Sequence, residues 1–275
     1  MHIRVKHETV YRYDEPAKAA IQRLALTPRN HDGQHVLDWR IDVDRDCRLR
    51  VSEDAFGNIV HGFSVDGPLD ALTTIVEGEV ETFDTAGVVR GAIERFPPAL
   101  YLRETPLTMT DEALVAFARK ATDREQSALA KLHALLGALH EAMIFDEDAT
   151  HSRTTAAEAF AHRRGVCQDF AHAFIAGART LEIPARYASG YFLRSDGARE
   201  QAAGHAWAEA FVDGLGWVGF DPAHGASPDE NYVRVAVALD YLGAAPIRGA
   251  RTGGGGETME VTVRVARTQS QFQSQ

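Results

Sequence analysis

The sequence predicts an α+β protein in which an all-β segment precedes helices that pack on an antiparallel sheet. Three observations carry this. Over residues 1–85, short runs of alternating apolar and polar residues recur between turn residues. Over residues 110–181, apolar residues recur at helical spacing instead. Residues 186–193, 205–212 and 217–221 then alternate again, so helices come first and an antiparallel sheet follows.

In chain order, residues 2–13 set Ile3, Val5, Thr9, Tyr11 and Tyr13 on one face of a strand, with Arg4, Lys6, Glu8 and Arg12 on the other. A second strand is expected at 21–29, ended by Pro28, and a third carries Leu37, Trp39, Ile41 and Val43. Residues 49–51 continue the pattern, 54–58 form a turn, and 59–65 and 72–80 are two further strands. The domain reading is therefore a β domain at 1–85, a linker at 86–107 marked by Pro97-Pro98, a catalytic core at 108–252, and a closing segment at 253–275. In the core, Thr110 is expected to cap a helix bearing Leu114, Phe117, Ala118 and Ala121. A longer amphipathic helix carries Leu129, Leu132, Leu135, Leu136, Leu139 and Met143. The closing segment reads as a Gly spacer at 253–256, a returning strand around 259–265 that pairs with a sheet edge, and a frayed tail at 270–275.

The stretch that organises the chain is Arg163-Arg164-Gly165-Val166-Cys167-Gln168-Asp169. Thr155 with Glu158 forms a capping box that starts a short helix, and Gly165 ends it. Phe170, Phe174, Ala178 and Leu181 then space a second helix over about 166–181, which puts Cys167 in its first turn. Unpaired N–H groups and the positive end of the macrodipole gather there, with Arg163 and Arg164 just upstream; each favours a thiolate over a thiol. His205 shares a strand face with Trp207, Glu209 and Phe211, and Asp221 lies on the next strand with Trp217 and Gly219. Cys, His and Asp in this order supply a nucleophile, a base and an orienting acid.

The runs GVCQDFAHAF, IPARYASGYF, GHAWAEAF and GWVGFDP resemble the transglutaminase-like superfamily of papain-like thiol enzymes. The β segment, with QRLALTPR and DAFGNIV, resembles the N-terminal β domain of bacterial members, so the resemblance covers nearly the whole chain. It implies a papain-like core and thiol-dependent acyl transfer on peptide or side-chain amides through Cys167, His205 and Asp221. A protease or amidase outcome is slightly favoured over a transglutaminase one. A binding or assembly module on the same fold is the alternative reading. The chain departs from the crosslinking enzymes in two ways. None of Trp39, Trp207 and Trp217 lies between the linker and Cys167, so a second oxyanion donor is unassigned, and no acidic calcium loop appears.

Glu209 is the rival orienting acid, but two positions along a strand is about 6.6 Å, awkward for the same ring. Trp207 and Trp217 either pack the sheet or wall a substrate groove; Gln168 and Asp169 are supporting positions of the motif, Asp169 as a carboxylate stabilising the helix dipole. His162, Cys167 and His172 stand five residues apart and do not share a helix face, so no metal and no cofactor is expected. Cys47 reads as inert, and His224 as a surface-loop residue. A net charge of −10 argues against a nucleic-acid partner. No run approaches the ~18 apolar residues of a membrane span, so no membrane partner is expected. The N-terminus enters strand pattern at once, and two cysteines make no disulfide framework. A peptide or protein amide substrate in a reducing cytoplasm fits these features.

Overall fold

The computed structural model describes residues 1–268. The chain opens with β1 (His2–Thr27), β2 (Gln34–Val43), β3 (Arg50–Glu53) and β4 (Ile59–Thr82). A short β5 (Val88–Val89) and two 3-10 turns follow, then α1 (Glu112–Ala121) and α2 (Ala128–Ala142). The parallel pair β6 (Ile144–Phe145) and β7 (Arg164–Gly165) brackets α3 (Ala156–His162). Next come α4 (Cys167–Thr180), β8 (Ala185–Phe192), β9 (Glu200–Gln201), β10 (His205–Val212), β11 (Gly216–Phe220) and β12 (Tyr232–Ala238). The short α5 (Tyr241–Ala244), β13 (Ile247–Gly253) and β14 (Glu257–Arg267) close the chain.

Two antiparallel sheets result. The first runs β2-β4-β1-β14-β9, with β13 beside β1 and β3 beside β4; the second runs β12-β8-β10-β11-β5. The two strands expected at 2–13 and 21–29 are one strand, and so are those at 59–65 and 72–80. Pro16 falls in the β1–β4 register shift between Arg12 and Ala17, and Pro68 in the next one, between Ala17 and Ala19, so both strands continue through a proline at an irregular position of the ladder. The returning strand is β14, and its pairing with β1 runs from Ile3↔Arg267 to Tyr13↔Glu257. Gly253, Gly254 and Gly255 have positive φ and turn the chain from β13 to β14, where a flexible spacer was expected. The tail expected at 270–275 lies outside the described residues.

α4 is the hub of the core. From Phe170 to Arg179 each of its residues is buried, which is why its pattern reads apolar on more than one side. Small residues let neighbours approach: a Cβ on Gly177 would stand 3.1 Å from Leu135. Phe174 stacks on Phe220 of β11 at 5.1 Å between ring centroids, and α1, α2, β8 and β10 pack round the rest. Each fully buried side chain of this size contributes about 1.5–3 kcal/mol. The same continuous core includes Ile3, Val5, Val80, Val263 and Val265 of the first sheet. Both ends of the chain are therefore tied into the packing that carries α4.

Candidate active site

Local chemistry places Cys167. The Thr155–Glu158 capping box starts α3 as expected, and Arg163, at φ 54°, turns the chain out of it. Gly165 then passes so close to Asp169 that a Cβ would stand 2.5 Å from its Oδ2. Asp169 Oδ2 accepts the Val166 N–H at 2.9 Å and the Thr150 hydroxyl at 2.6 Å, which makes Asp169 the cap of α4. Burial raises its pKa; those two hydrogen bonds pull the other way. Cys167 follows at the first helical position, half-buried, with the free N–H groups of the helix start around it. Arg163 and Arg164 do not reach it, contrary to expectation. The Arg163 guanidinium lies 3.7 Å over the Phe160 ring, and Arg164 pairs with Asp146 at 2.9 Å.

The hairpin β10–β11 places the other two residues. Val212 pairs with Gly216 and Ala208 with Phe220, a register in which His205 and Asp221 share a face diagonally. The turn is the three residues Asp213, Gly214 and Leu215, with Gly214 at φ 82°. His205 Nε2 donates to Asp221 Oδ2 at 2.6 Å. Its other nitrogen is free of side-chain partners among the described residues, and Cys167 lies on the wall of the same cavity. Burial alone would lower the His205 pKa. The Asp221 charge and hydrogen bond, then the nearby Cys167, outweigh it and hold His205 at about 10. At neutral pH the ring is an imidazolium held by the Asp221 carboxylate. Burial would likewise raise the Asp221 pKa, but the two histidines hold it far below the carboxylate range.

Asp221 is more heavily committed than the sequence suggested. Its Oδ2 also accepts from His224 Nδ1 at 2.7 Å and from the Tyr232 hydroxyl at 2.8 Å. Its Oδ1 accepts the backbone N–H of Ala223 at 3.0 Å and of His224 at 3.4 Å. His224, read as a loop residue, is thus a second imidazole on the same carboxylate. The signal was its position three residues after Asp221, within an Asx-type turn. Tyr232 belongs to β12, which its β-branched run Val233, Val235, Val237 could have revealed.

The remaining candidates separate cleanly. Glu209 lies in a buried ion cluster away from His205. Arg186 donates to it at 2.7 Å and Arg234 at 2.6 Å, and Glu94 of the linker completes the set at 2.6 Å from Arg186. Trp217 packs under the Arg186 guanidinium at 3.8 Å and edge-on to Tyr101; neither it nor Trp207 lines the cavity that holds Cys167. Trp207 stacks against His205 at 6.2 Å and supports the ring. Gln168 does line that cavity. Cys47 sits among the side chains of the first sheet, and burial raises its thiol pKa. His205, Asp221 and His224 are close enough to one another to share a metal ion, but their mutual hydrogen bonds already use the carboxylate oxygens.

Cys167 and His205 open on a cavity of about 790 Å³. Its opposite wall comes from the first sheet, with Thr9 and Tyr11 of β1 and Met259 and Val261 of β14. His7, on the same face, is buried between the Tyr191 and Thr9 hydroxyls at 3.0 and 3.1 Å. Burial lowers His7 to about 4 and, with a smaller push from Arg179, lowers His172 to about 3. Both are neutral in the folded chain, whereas an unfolded histidine takes up a proton below about 6.5. Between pH 6.5 and 4 the unfolded state therefore binds more protons. Stability should fall there by about 1.4 kcal/mol per pH unit for each histidine. Melting curves from pH 7 to 4 check this, and His7→Gln should flatten the slope.

Comparison with known proteins agrees with this architecture. Residues 3–81 match the bacterial transglutaminase-like N-terminal region, and residues 115–222 match the transglutaminase-like superfamily. An uncharacterized protein of Mycobacterium leprae is 29% identical, over 96% of this chain and 98% of its own. One of Mycobacterium tuberculosis is 28% identical, over 90% and 86%. A candidate cysteine protease from Cytophaga hutchinsonii shares the fold, with a TM-score of 0.80 at 21% identity over 99% of this chain and 92% of that one. No helix of the described residues is long and apolar enough to cross a membrane, which leaves β-barrels aside. With both regions matched in sequence and the fold shared from end to end, the chain joins a region of the bacterial transglutaminase-like N-terminal type to a core of the transglutaminase-like superfamily.

Proposed function

We propose that this protein is a thiol-dependent acyl-transfer enzyme acting on peptide or side-chain amides, with Cys167, His205 and Asp221 as its triad. The observation that carries the reading is the His205 ring, held by Asp221 at 2.6 Å and sharing with Cys167 the wall of one cavity. Cys167 Sγ, as the thiolate of the ion pair, attacks the amide carbonyl carbon. The carbonyl π pair moves onto oxygen, then returns as the C–N bond breaks, and His205 delivers its proton to the leaving amine. The thioester is cleared by water, giving an acid, or by a second amine, giving a new amide. Hydrolysis is favoured because water outnumbers any amine. In this proposal residues 108–252 are the catalytic unit, residues 1–85 and the closing strand β14 supply the far wall of its cavity, and residues 86–107 link the two. The working thiol belongs in a reducing compartment, the cytoplasm.

The test is a peptide-amide pool with and without an amine acceptor. Acid products should form in both arms, new amides only in the second, and iodoacetamide should stop both while a chelator stops neither. Turnover that survives alkylation and is lost to chelator would make this a metal hydrolase instead. Bound substrate released unchanged would favour a binding module.

A further inference from the structure

We infer that the Tyr187 hydroxyl is the second oxyanion donor of this site, completing a hole whose first donor is the Cys167 backbone N–H. The inference rests on the thiol acyl-transfer reading above. Attack on a carbonyl puts negative charge on its oxygen, and preorganised donors at that point lower the barrier. The N–H at the head of α4 supplies one, but no tryptophan lines the cavity to supply another.

Tyr187 stands on β8 opposite Ala208 of β10, so its side chain points to the sheet face that α4 covers. There its ring packs against His172 of α4 at 5.1 Å and Tyr241 at 6.2 Å between centroids, and the residue is 2% exposed. Yet it lines the same cavity as Cys167, so a residue otherwise packed into the core has access to the space beside the nucleophile. Two neighbouring tyrosine hydroxyls are committed, Tyr191 to His7 and Tyr232 to Asp221. Among the described residues the Tyr187 hydroxyl has no hydrogen-bond partner. A phenol sheltered this well usually finds one, and a substrate oxygen would supply it. Of the other polar side chains of the cavity, Ser189 bonds the Ala244 carbonyl at 2.9 Å and Gln201 the Phe192 carbonyl at 2.9 Å. The Tyr11 and Tyr241 hydroxyls also line it without a partner among the described residues, but of the three tyrosines only Tyr187 is close enough to feel Cys167. Gln168 is the rival donor, but it leaves α4 about 100° round from Cys167. Burial first, and the charge on Cys167 next, hold the Tyr187 proton on well above the usual phenol range, so the group remains a donor.

The experiment compares two reactions of one thiol. Iodoacetamide alkylates Cys167 by displacement at a saturated carbon, with iodide leaving and no oxyanion formed. p-Nitrophenyl acetate acylates it through a tetrahedral oxyanion: the S–C bond forms, the carbonyl pair moves to oxygen and returns, and p-nitrophenolate departs. Tyr187→Phe should slow acylation by about 10²–10³-fold while leaving the alkylation rate and the melting temperature unchanged. In Gln168→Ala the loss of acylation should be the smaller of the two. Equal loss in both reactions, an unfolded Tyr187→Phe protein, or unchanged acylation would each overturn the assignment. A larger acylation loss in Gln168→Ala would overturn it in favour of Gln168. If the unmodified protein is not acylated at Cys167 at all, the acyl-transfer reading itself fails and takes this inference with it.

Discussion

Asp221→Asn is expected to lower turnover on the order of 10⁴-fold while leaving the fold intact. Asp221 takes five donors: His205, His224, Tyr232 and two backbone N–H groups. An asparagine can satisfy part of that set, so packing survives. What it cannot do is supply the negative charge, and where its amide nitrogen faces the ring it donates to Nε2 and selects the wrong tautomer. Burial already works against the imidazolium, and the Asp221 charge is what overcomes it. Without that charge the ring becomes neutral near pH 7. Pre-steady-state rates and the pH dependence of Cys167 alkylation measure both effects. A variant with full activity would mean that Asp221 only shapes the loop.

Glu209→Ala should have the largest effect on stability, about 3–5 kcal/mol, because it strips the partner from charges that cannot reach water. Arg186 is 1% exposed and Arg234 13%, with Glu209 itself at 0%. Burial alone would raise the Glu209 pKa, yet the two guanidinium charges bring it to about 2. The cluster fastens β8, β10, β12 and the linker through Glu94. Urea unfolding checks the magnitude. Folded Glu209→Ala protein should keep the wild-type pH profile of Cys167 alkylation; a shifted profile would return Glu209 to the role of orienting acid.

Much of this architecture could be read from residues. Thr155 and Glu158 form the capping box their spacing announces, and strand parity alone required an odd loop between β10 and β11. Such features depend on neighbours a few positions apart. Features that depend on distant partners were hidden. Pro16 and Pro68 look like strand breakers until β1 and β4 are paired and both fall at the irregular register. Asp111, not Thr110, caps α1, a one-residue difference set by which side chain reaches the Leu114 N–H. Arg163 and Arg164 lie beside Cys167 in sequence but spend their charges on Phe160 and Asp146. The cavity wall contributed by β1 and β14 joins residues some 250 positions apart in number, and no local pattern reports it.

The central claim is that Cys167 becomes acylated. Rapid acid quenching of the protein with a peptide-amide pool, followed by intact mass and peptide mapping, tests it most directly. The expected result is an acyl adduct on the peptide containing Cys167, released by neutral hydroxylamine as a thioester should be, and absent from Cys167→Ala and His205→Ala proteins. Turnover of the amides with no adduct at Cys167, or with an adduct at Cys47 instead, would contradict the account.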